Sequence, residues 1–477
     1  MPYDVVVVGG GIGGLTVAAL TAARGLRVCL LERQSQVGGC VGRVEHSGYE
    51  FDPGRGLYTG FGPGEIFERI FSELPLPAPN ASRVESDYVV RLAPETDIQL
   101  YKTDPEFFDE LRRVFPECAT PAIEFYTLVK QVAESTKQPR RSGVFAKVFA
   151  NFQSKRSDVD LERARSNTTI SFAQNTSPHF QRFIDAQLKT FLQTGIERCS
   201  FAAACVALMR LRATMYSFDQ GVAELAERLS EAIKKSGGVV RLNSPVLRLA
   251  YDASGKAIGV DLLSGERVEA TRAIVSNLTI WDTYGRLVGL QRTPTEIKRE
   301  LQQRQSNGVF VTYAAVDEAV VDKLPAQKFL VSEHEEDENG FTFSLDSKNS
   351  DGKFPATIIT STEVAPWFAF QTSEEDYEER DQEALEHFWE RLHRAIPELG
   401  SGIEVIETAN PRTYYEQTRR KLGMVIGFEN TPEASATEIT QETSVPNLLV
   451  VGDTTGIQPN LEVIARSAQS LANRLTK

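Results

Sequence analysis

The sequence predicts an α/β protein with a buried parallel sheet, an interleaved mixed sheet and a helical region. Three observations support this fold class. Residues 4–33 read as a buried strand, a glycine-rich turn, a helix and a second strand. Residues 445–477 read as another buried strand followed by a closing helix. Between these ends, apolar runs of strand length alternate with helical segments, and a chain of 477 residues is long for one core, so two interleaved domains are expected.

The N-terminal segment carries the strongest motif. Val5–Val8 is a β-branched run typical of a strand buried on both faces of a parallel sheet. The next glycines have GxGxxG spacing, in which the first permits a tight turn, the second admits a pyrophosphate and the third lets helix and sheet pack closely. An acid at the end of the second strand can accept hydrogen bonds from ribose hydroxyls, and phosphates favour the helix N-terminus. The predicted residues of this Rossmann-type site are Gly9, Gly11, Ile12, Gly13, Gly14, Glu32 and Arg33.

The segment after the second strand points to one dinucleotide. Residues 37–56 read VGGCVGRVEHSGYEFDPGRG. The VGGCVGR part resembles the extension that flavoproteins of the amine oxidase and phytoene desaturase superfamily place after this unit. Gly48–Gly54 is similar to the "G-aromatic-x-F-D-x-G" turn of the same group. The resemblance implies FAD as the cofactor, with its pyrophosphate and flavin surrounded by Gly38, Gly39, Gly42 and Arg43.

Later segments complete the predicted FAD-binding fold. Leu448–Val451 is a buried strand ended by Gly452 and Asp453, and Leu461–Leu475 is an amphipathic helix. The resemblance implies that Asp453 lies beside the ribityl or pyrophosphate group, that the helix N-terminus faces the flavin, and that the backbone of Val246 meets the adenine. The prediction is a Rossmann-type FAD-binding domain at 1–70, 215–285 and 440–477, a helical membrane or substrate-entry region at 71–214, and an interleaved mixed-sheet substrate domain at 286–439.

Further stretches narrow the resemblance. Tyr216–Leu229, Asn410–Gly427 and Gly452–Thr455, together with the N-terminal motifs, are similar to the carotenoid desaturase and isomerase family of FAD enzymes, which includes retinol saturase-type reductases. The resemblance implies desaturation, cis–trans isomerisation or saturation of C=C bonds in a long isoprenoid or carotenoid. Arg412 is the predicted catalytic polar group near the flavin or substrate. Residues 456–460 depart from the family, because they replace its usual Pro-Gly turn under the flavin.

Two other functions stay open from the sequence. An FAD-dependent amine oxidase shares the same frame but acts on soluble amines. A non-catalytic, FAD-stabilised lipid-binding protein is favoured by the altered turn at 456–460. Polyene chemistry is the first expectation, since the cofactor carries the reaction and the chain offers no Ser-His-Asp or Cys-His constellation.

Composition limits the partners. A formal net charge of −13 argues against nucleic acid, whose phosphates demand clustered Lys and Arg. Five cysteines without CxxC spacing fit a reducing compartment, and the histidines show no ligand spacing, so no metal is expected. The N-terminus lacks the features of a signal peptide, and the apolar runs are too short to span a bilayer, so a cytoplasmic protein is expected.

Two helices bear on how a hydrophobic small-molecule substrate is reached. The charged residues of 137–156 are all basic and are mixed with aromatic residues at helical spacing, which predicts peripheral membrane contact. A helix that packs its phenylalanines inward is the alternative. Phe201–Met209 is apolar and rich in small residues, which suits either the wall of a hydrophobic tunnel or ordinary core packing.

Overall fold

Two seven-stranded sheets organise the computed structural model of this chain. The predicted α/β class, with parallel and mixed sheets, is confirmed. The structure describes residues 1–92, 96–136, 161–218, 220–303, 307–332, 340–368, 374–425, 427–433, 441–455 and 460–477.

The described strands follow one another in chain order and are numbered accordingly. They are β1 Tyr3–Val8, β2 Val28–Leu31, β3 Val44–His46, β4 Tyr49–Phe51, β5 Ala81–Arg83, β6 Tyr88–Leu92, β7 Thr96–Leu100, β8 Tyr216–Phe218, β9 Val239–Arg241, β10 Val246–Tyr251, β11 Ala257–Leu262, β12 Arg267–Ser276, β13 Gly308–Asp317, β14 Lys328–Ser332, β15 Phe341–Leu345, β16 Lys353–Thr362, β17 Ile403–Ala409 and β18 Leu448–Val450.

The α-helices of seven or more residues in the described ranges are numbered in the same way. They are α1 Ile12–Ala23, α2 Ile66–Ser72, α3 Asp104–Val114, α4 Ala119–Thr136, α5 Pro178–Leu192, α6 Phe201–Leu211, α7 Ala223–Lys235, α8 Thr295–Gln303, α9 Glu374–Ala395, α10 Pro411–Thr418 and α11 Leu461–Leu475. Shorter helical turns are Gly39–Val41, Pro116–Cys118, Ile170–Ala173, Ile280–Asp282, Glu318–Val321, Ala365–Phe368, Pro397–Leu399 and Lys421–Gly423, and Thr283–Gly289 is a π-helix.

The first sheet has the Rossmann-type parallel core. β9, β2, β1, β12 and β18 lie side by side and run parallel. The first part of β12 also pairs antiparallel with β11, which continues to β10. α1, α7 and α11 pack together, and their apolar side chains share one buried cluster with Val5 and Val7 of β1. The parallel strands come from the N-terminal, middle and C-terminal segments, so the fold itself brings distant motifs to one edge.

The second sheet forms the wall opposite. Its order is β17-β13-β16-β15-β14-β6-β7, antiparallel throughout except for the parallel pair β6 and β14. Apolar or alternating runs at Val309–Ala315, Phe341–Leu345, Ala356–Thr362 and Trp367–Gln371 predict strands from the sequence. The first three are present as β13, β15 and β16. A predicted strand over Trp367–Gln371 is wrong at its start, because Ala365–Phe368 forms a 3₁₀ turn and residues 369–371 lie outside the described ranges.

Sequence reasoning treated 71–214 as a helical region, and the structure corrects this in part. β6 and β7 lie within that range and extend the second sheet. β6 is buried along its whole length because β14 covers one edge and the helical layer covers one face. The other domain boundaries stay a prediction.

Helices α3 to α6 form a layer with an aromatic core of their own. Phe125 meets Phe180 edge to face, and Phe180 meets Phe183 at a tilted angle. Phe107 meets Tyr126 edge to face in the same core. Phe201–Met209, for which a tunnel wall was the first reading, packs into this core as the start of α6. Core packing is therefore the correct reading of this helix.

In the ranges that the structure describes, no helix has both the length and the apolarity needed to cross a bilayer. Residues 137–156, for which peripheral membrane contact was predicted, lie outside those ranges.

Candidate cofactor and substrate site

One cavity of about 1310 Å³ runs between the first sheet and the second. Its nucleotide end lies at the carboxyl ends of β1 and β2, where Gly9–Gly13 and Glu32 line it. Its far lobe is walled by Phe191, Tyr313 and Tyr414. Most small-molecule sites enclose roughly 300–1,000 Å³. The larger volume here has room for an extended cofactor and a substrate together.

The glycine-rich turn has the geometry that the motif predicts. Gly9 adopts a φ of +100°. A Cβ on Gly14 would lie 2.4 Å from the carbonyl oxygen of Gly9, and a Cβ on Gly11 would lie 2.6 Å from Nδ2 of Asn277. The first turn of α1 holds no acidic residue, and no side chain caps it. Its N–H groups are therefore available to phosphate oxygens, which is the feature a pyrophosphate needs.

Glu32 closes the nucleotide end of the cavity. The backbone N–H of Gly10 donates to Oε2 of Glu32 at 2.7 Å, and the N–H of Gln34 donates to Oε1 at 2.8 Å. The Glu32 residue is only 9% exposed. Each carboxylate oxygen has a second acceptor site, so the group can also receive ribose hydroxyls. Its placement fits the predicted role.

Arg33 also lines the cavity. Its guanidinium donates to the carbonyl oxygens of Glu416 and Gln417, at 3.4 and 3.1 Å. Burial, followed by the charge of Arg419, lowers the pKa of Arg33. These contacts tie the end of β2 to α10, so Arg33 fixes the rim of the site.

The VGGCVGR extension folds directly onto the first glycine turn. The N–H of Gly38 donates to the carbonyl oxygen of Gly10 at 2.8 Å, with Gly38 at a φ of +118°. A Cβ on Gly38 would lie 2.9 Å from Cα of Gly42, so only glycine permits this close approach. Gly38, Gly39, Gly42 and Arg43 all line the cavity. The geometry fits a loop that wraps the cofactor.

Arg43 is held at the cavity by carboxylates. Its Nη1 lies 2.8 Å from Oε2 of Glu50, and its Nη2 lies 3.4 Å from Oε1 of Glu227. The net effect of the surrounding carboxylates outweighs burial and raises the pKa of Arg43. The guanidinium is therefore permanently charged at a wall of the site, where phosphates would meet it.

Val246 lies at the same end of the cavity as Glu32. The N–H of Ser244 donates to the carbonyl oxygen of Glu32 at 2.8 Å, which brings the start of β10 beside the end of β2. This placement fits the predicted position beside an adenine.

The C-terminal half of the site contains a buried ion pair that sequence reasoning missed. Gly452 has a φ of +140°, and the next residue, Asp453, pairs with Arg420 at 2.5 Å. The Arg420 and Asp453 side chains are 13% and 19% exposed. Burial alone would lower the pKa of Arg420, but the carboxylate of Asp453 raises it above its usual value. Asp453 thus lies at the cavity, as predicted, and Arg420 holds it there.

Helix α11 begins at the same place. Oδ1 of Asn460 accepts a hydrogen bond from the N–H of Val463 at 2.9 Å and so caps the helix. Asn460, Leu461 and Ile464 line the cavity. The N-terminus of α11 therefore faces the cavity, as predicted. The altered turn at 456–460 lies outside the described ranges up to residue 459.

The structure does not bring Arg412 to the cavity. Thr413, Tyr414 and Gln417 of α10 line it. Arg412 lies on the opposite side of this helix, given about 3.6 residues per turn. Its Nε pairs with Oε1 of Glu416 at 3.0 Å. The predicted catalytic position of Arg412 is therefore corrected, whereas Arg419 and Arg420, from the same sequence stretch, line the cavity.

Asn277 is a second residue that sequence reasoning missed. It follows β12 directly, and its side-chain amide lies over the glycine turn, close to Gly11, Gly13 and Gly452. The available signal was its position, because a polar residue at the carboxyl end of a buried parallel strand faces the ligand crevice of such sheets.

All five cysteines are free thiols. Across the described ranges, no group of three or more His, Cys, Asp or Glu side chains is placed to hold a metal ion.

These features together define a dinucleotide-binding oxidoreductase of the FAD type. They are the parallel sheet, the two helix N-termini, the glycine turn and the acidic residue placed to bind a ribose. The chain matches the family described as flavin containing amine oxidoreductase over residues 12–457, and it belongs to that family. It is accordingly an FAD-dependent oxidoreductase, and FAD is its cofactor, as the sequence predicted.

Relatives of known name cover most of the chain. It is 24% identical to the chloroplastic prolycopene isomerase of Arabidopsis thaliana over 503 residues, which cover 99% of this chain and 82% of that protein. It is 23% identical to the all-trans-retinol 13,14-reductase of Danio rerio over 501 residues, which cover 94% of this chain and 82% of that protein. The solved structure of wild-type putrescine oxidase bound to putrescine is similar in fold, with a TM-score of 0.65 and 16% identity. The similarity covers 100% of this chain and 99% of that chain.

When bound, FAD supplies the redox chemistry, which is to accept or donate a hydride. The protein's own contribution is placement and charge. The N-termini of α1 and α11 present N–H groups and partial positive charge to the cavity, and Glu32 offers acceptors for ribose hydroxyls. Arg420 holds the Asp453 carboxylate in place through their ion pair.

An acid pair lies beside the cavity between the N-terminal segment and the second sheet. The N–H of Asp52 donates to Oδ2 of Asp346 at 3.0 Å, and the hydroxyl of Tyr58, a cavity residue, donates to Asp52. Burial, followed by the charge of Asp52, raises the pKa of Asp346 to about 7. The pair therefore changes charge near neutral pH.

This pair predicts a pH-dependent stability. The folded pKa of Asp346 lies above its unfolded value of about 3.9, so proton binding stabilises the fold below about pH 4, and this stabilisation is lost as pH rises through 7. Between about pH 5.5 and pH 8, Asp346 should lower the free energy of unfolding by on the order of 2 kcal/mol. Asp346→Asn should remove this part of the pH dependence of the free energy of unfolding, which denaturant titrations at a series of pH values measure.

Asp322→Asn, at an exposed position after Glu318–Val321, is the matched control. It should leave the slope of unfolding free energy against pH unchanged. Equal slopes for wild type and Asp346→Asn would show that Asp346 is ionised throughout this pH range.

Proposed function

We propose that this FAD-dependent oxidoreductase acts on a long hydrophobic isoprenoid or carotenoid, by desaturation, cis–trans isomerisation or saturation of C=C bonds. The observation that carries the proposal is the continuity of the cavity, which runs from the nucleotide end into a lobe of aliphatic and aromatic side chains. A slender apolar chain fits such a lobe, since apolar contact area favours its transfer from water. The lobe's apolar lining residues are Leu57, Phe191, Leu192, Val309, Ile359 and Val425.

The named relatives support the same substrate class. A prolycopene isomerase and an all-trans-retinol 13,14-reductase share most of their length with this chain. By their names, both act on conjugated C=C bonds of apolar molecules, and the proposal extends that class to this chain.

The tyrosines of the lobe support chemistry carried by the cofactor. Burial raises the pKa of Tyr313 to about 12, and burial followed by the nearby Tyr313 raises the pKa of Tyr414 well above its usual value. Both hydroxyls are therefore neutral at physiological pH and cannot serve as bases. Positioning of substrate against the flavin is the contribution that this wall can make.

An amine substrate has less support. An amine oxidase must admit an alkylammonium or its conjugate base. The far lobe instead carries two guanidinium groups, from Arg55 and Arg210, and neither forms an ion pair with a carboxylate in the described ranges. Two positive charges in a desolvated lobe repel a cationic ligand. The similarity of fold to putrescine oxidase therefore does not argue for an amine substrate.

Location belongs to the same proposal. A cytoplasmic enzyme with peripheral membrane contact through residues 137–156 would take an apolar substrate from the bilayer. This assignment rests on the sequence alone, where the basic charges of that segment are interleaved with phenylalanines.

The test uses purified, FAD-loaded protein under anaerobic conditions. Oxidised and dithionite-reduced samples are each mixed with prolycopene and with all-trans-retinol in micelles, and products are resolved by chromatography with absorbance detection. A panel of soluble amines is the control, and bleaching of the flavin is recorded. Conversion of a polyene without bleaching by any amine is the expected result. Bleaching by amines without polyene conversion would replace the proposal with an amine oxidase.

A further inference from the structure

Two arginine side chains line the far lobe without a carboxylate partner. Arg55 follows the turn at Gly48–Gly54, and Arg210 lies in the last turn of α6. Nη1 of Arg55 donates to the carbonyl oxygen of Thr190, whereas Nη2 is buried without a hydrogen-bond partner. Nε of Arg210 is also buried without one. In the described part of the chain, no acidic side chain pairs with either guanidinium.

Both groups are desolvated and lie near each other. Burial lowers the pKa of each arginine to about 10, so both stay charged at neutral pH. The charge of Arg210 also lowers the pKa of Arg55. Both charges act on Tyr88, whose hydroxyl is buried and has no hydrogen-bond partner. The lobe therefore concentrates positive charge, and no carboxylate of the described residues pairs with either guanidinium.

Three other arginines of the described residues, Arg91, Arg212 and Arg420, differ from these two. Each has a carboxylate within hydrogen-bonding distance, as expected when an unpaired buried charge is costly. Arg212 shows the full pattern, because it also donates to two backbone carbonyl oxygens and stacks on Phe107. The matched pairs are Arg91–Asp97 at 2.8 Å, Arg212–Asp104 at 2.9 Å and Arg420–Asp453 at 2.5 Å.

The acidic residue whose charge reaches Arg210 is Glu462, in the first turn of α11. That carboxylate is already engaged. It accepts a hydrogen bond from Oγ1 of Thr59 at 2.8 Å and pairs with Arg466 at 2.6 Å. Glu462 therefore does not neutralise the two arginines of the lobe.

We propose that Arg55 and Arg210 bind an oxyanion head group, a carboxylate or a phosphate, on a substrate whose apolar tail fills the rest of the lobe. Guanidinium groups match both oxyanions with paired N–H donors. The ring of Phe191 lies over Arg55, with 5.5 Å between its centroid and Cζ, so charged and apolar surfaces adjoin. This inference deepens the proposed function and rests on it only for the apolar tail.

The experiment compares ligands that share a tail and differ in head group. FAD-loaded wild type is titrated with all-trans-retinoic acid, all-trans-retinol and all-trans-retinyl phosphate, and flavin absorbance reports binding. Titrations are repeated with Arg55→Met, Arg210→Met, the charge-retaining Arg210→Lys and the exposed control Arg69→Met of α2. FAD content is measured for every variant.

The acid or the phosphate should bind at least about tenfold more tightly than retinol, since charge-assisted hydrogen bonds exceed neutral ones. The preferred oxyanion identifies the head group. Arg55→Met and Arg210→Met should abolish the preference while FAD content and retinol affinity stay unchanged. Arg210→Lys should retain part of the preference, and Arg69→Met all of it.

Equal binding of acid, phosphate and alcohol by wild type would overturn the inference while leaving the proposed function intact. Loss of FAD from the arginine variants would also overturn it, because the arginines would then serve the cofactor. Hexanoate and hexanol repeat the comparison without a polyene tail. If no polyene binds but hexanoate is preferred, the proposed function fails and the oxyanion site stands.

Discussion

Gly14→Ala is expected to weaken FAD binding strongly. The new Cβ would lie 2.4 Å from the carbonyl oxygen of Gly9, 3.0 Å from Cβ of Asn277 and 3.2 Å from Cγ1 of Val7. The first contact is with the backbone of the turn itself, so no side-chain rotation relieves it. Helix α1 must then move away from β1, which displaces the N–H groups that face the phosphates.

Overpacking of this kind costs roughly 3 kcal/mol or more. A loss of that size in the bound state corresponds to an affinity for FAD weaker by on the order of 100-fold. FAD content after gel filtration and a fluorescence titration of the FAD-free protein measure the effect. Gly285→Ala is the matched control, because a Cβ there meets no atom within 4 Å. Wild-type FAD affinity in Gly14→Ala would show that this turn does not hold the cofactor.

Arg420→Met should destabilise the protein strongly even without FAD. The variant leaves Asp453 buried, 19% exposed, with its cationic partner removed. Breaking one partner of a buried ion pair costs about 3–5 kcal/mol, because the remaining charge is uncompensated. Adding Asp453→Asn should recover part of this loss. Urea unfolding of the FAD-free proteins at constant pH gives the free energies for the full double-mutant cycle.

Arg412→Met is the matched control on α10. Its i,i+4 pair with Glu416 is more exposed than the pair of Arg420 with Asp453, with side-chain exposures of 28% and 56%. Such pairs contribute about 0.5 kcal/mol or less. Equal destabilisation by the two variants would mean that Arg420 is no more buried or coupled than Arg412.

The nucleotide-binding half was predictable because its signals are local. Val5–Val8 is buried, α11 has the bounds Leu461–Leu475 that its periodicity predicts, and Glu32 ends β2 at the cavity. A buried parallel strand, a glycine turn and an amphipathic helix each leave a pattern within a few neighbouring residues. Parallel pairing then determines which strand ends meet.

The choice between Arg412 and Arg420 depended on the path of the backbone. Both arginines lie in one basic stretch, and only one faces the cavity. Arg419 and Leu422 adopt left-handed φ values of +56° and +51°, which turn the chain after α10 toward Asp453. Non-glycine residues show little sequence preference for this conformation, so the turn left no signal.

The far lobe could not be read from sequence for another reason. Arg55 and Arg210 lie in different elements, and nothing in their local context sets them apart from paired arginines. These two arginines are distinguished by having no carboxylate of the described residues close enough to pair with them. Which acidic residues lie nearby depends on the whole fold. β6 and β7 likewise joined the second sheet through contacts with β14, far away in the chain.

FAD binding is tested most directly by an FAD titration of the purified protein, followed by absorbance spectroscopy before and after anaerobic dithionite. We expect one FAD per chain, with flavin absorbance bands that bleach on reduction and return with air. A folded, colourless protein that takes up no added FAD would contradict this expectation.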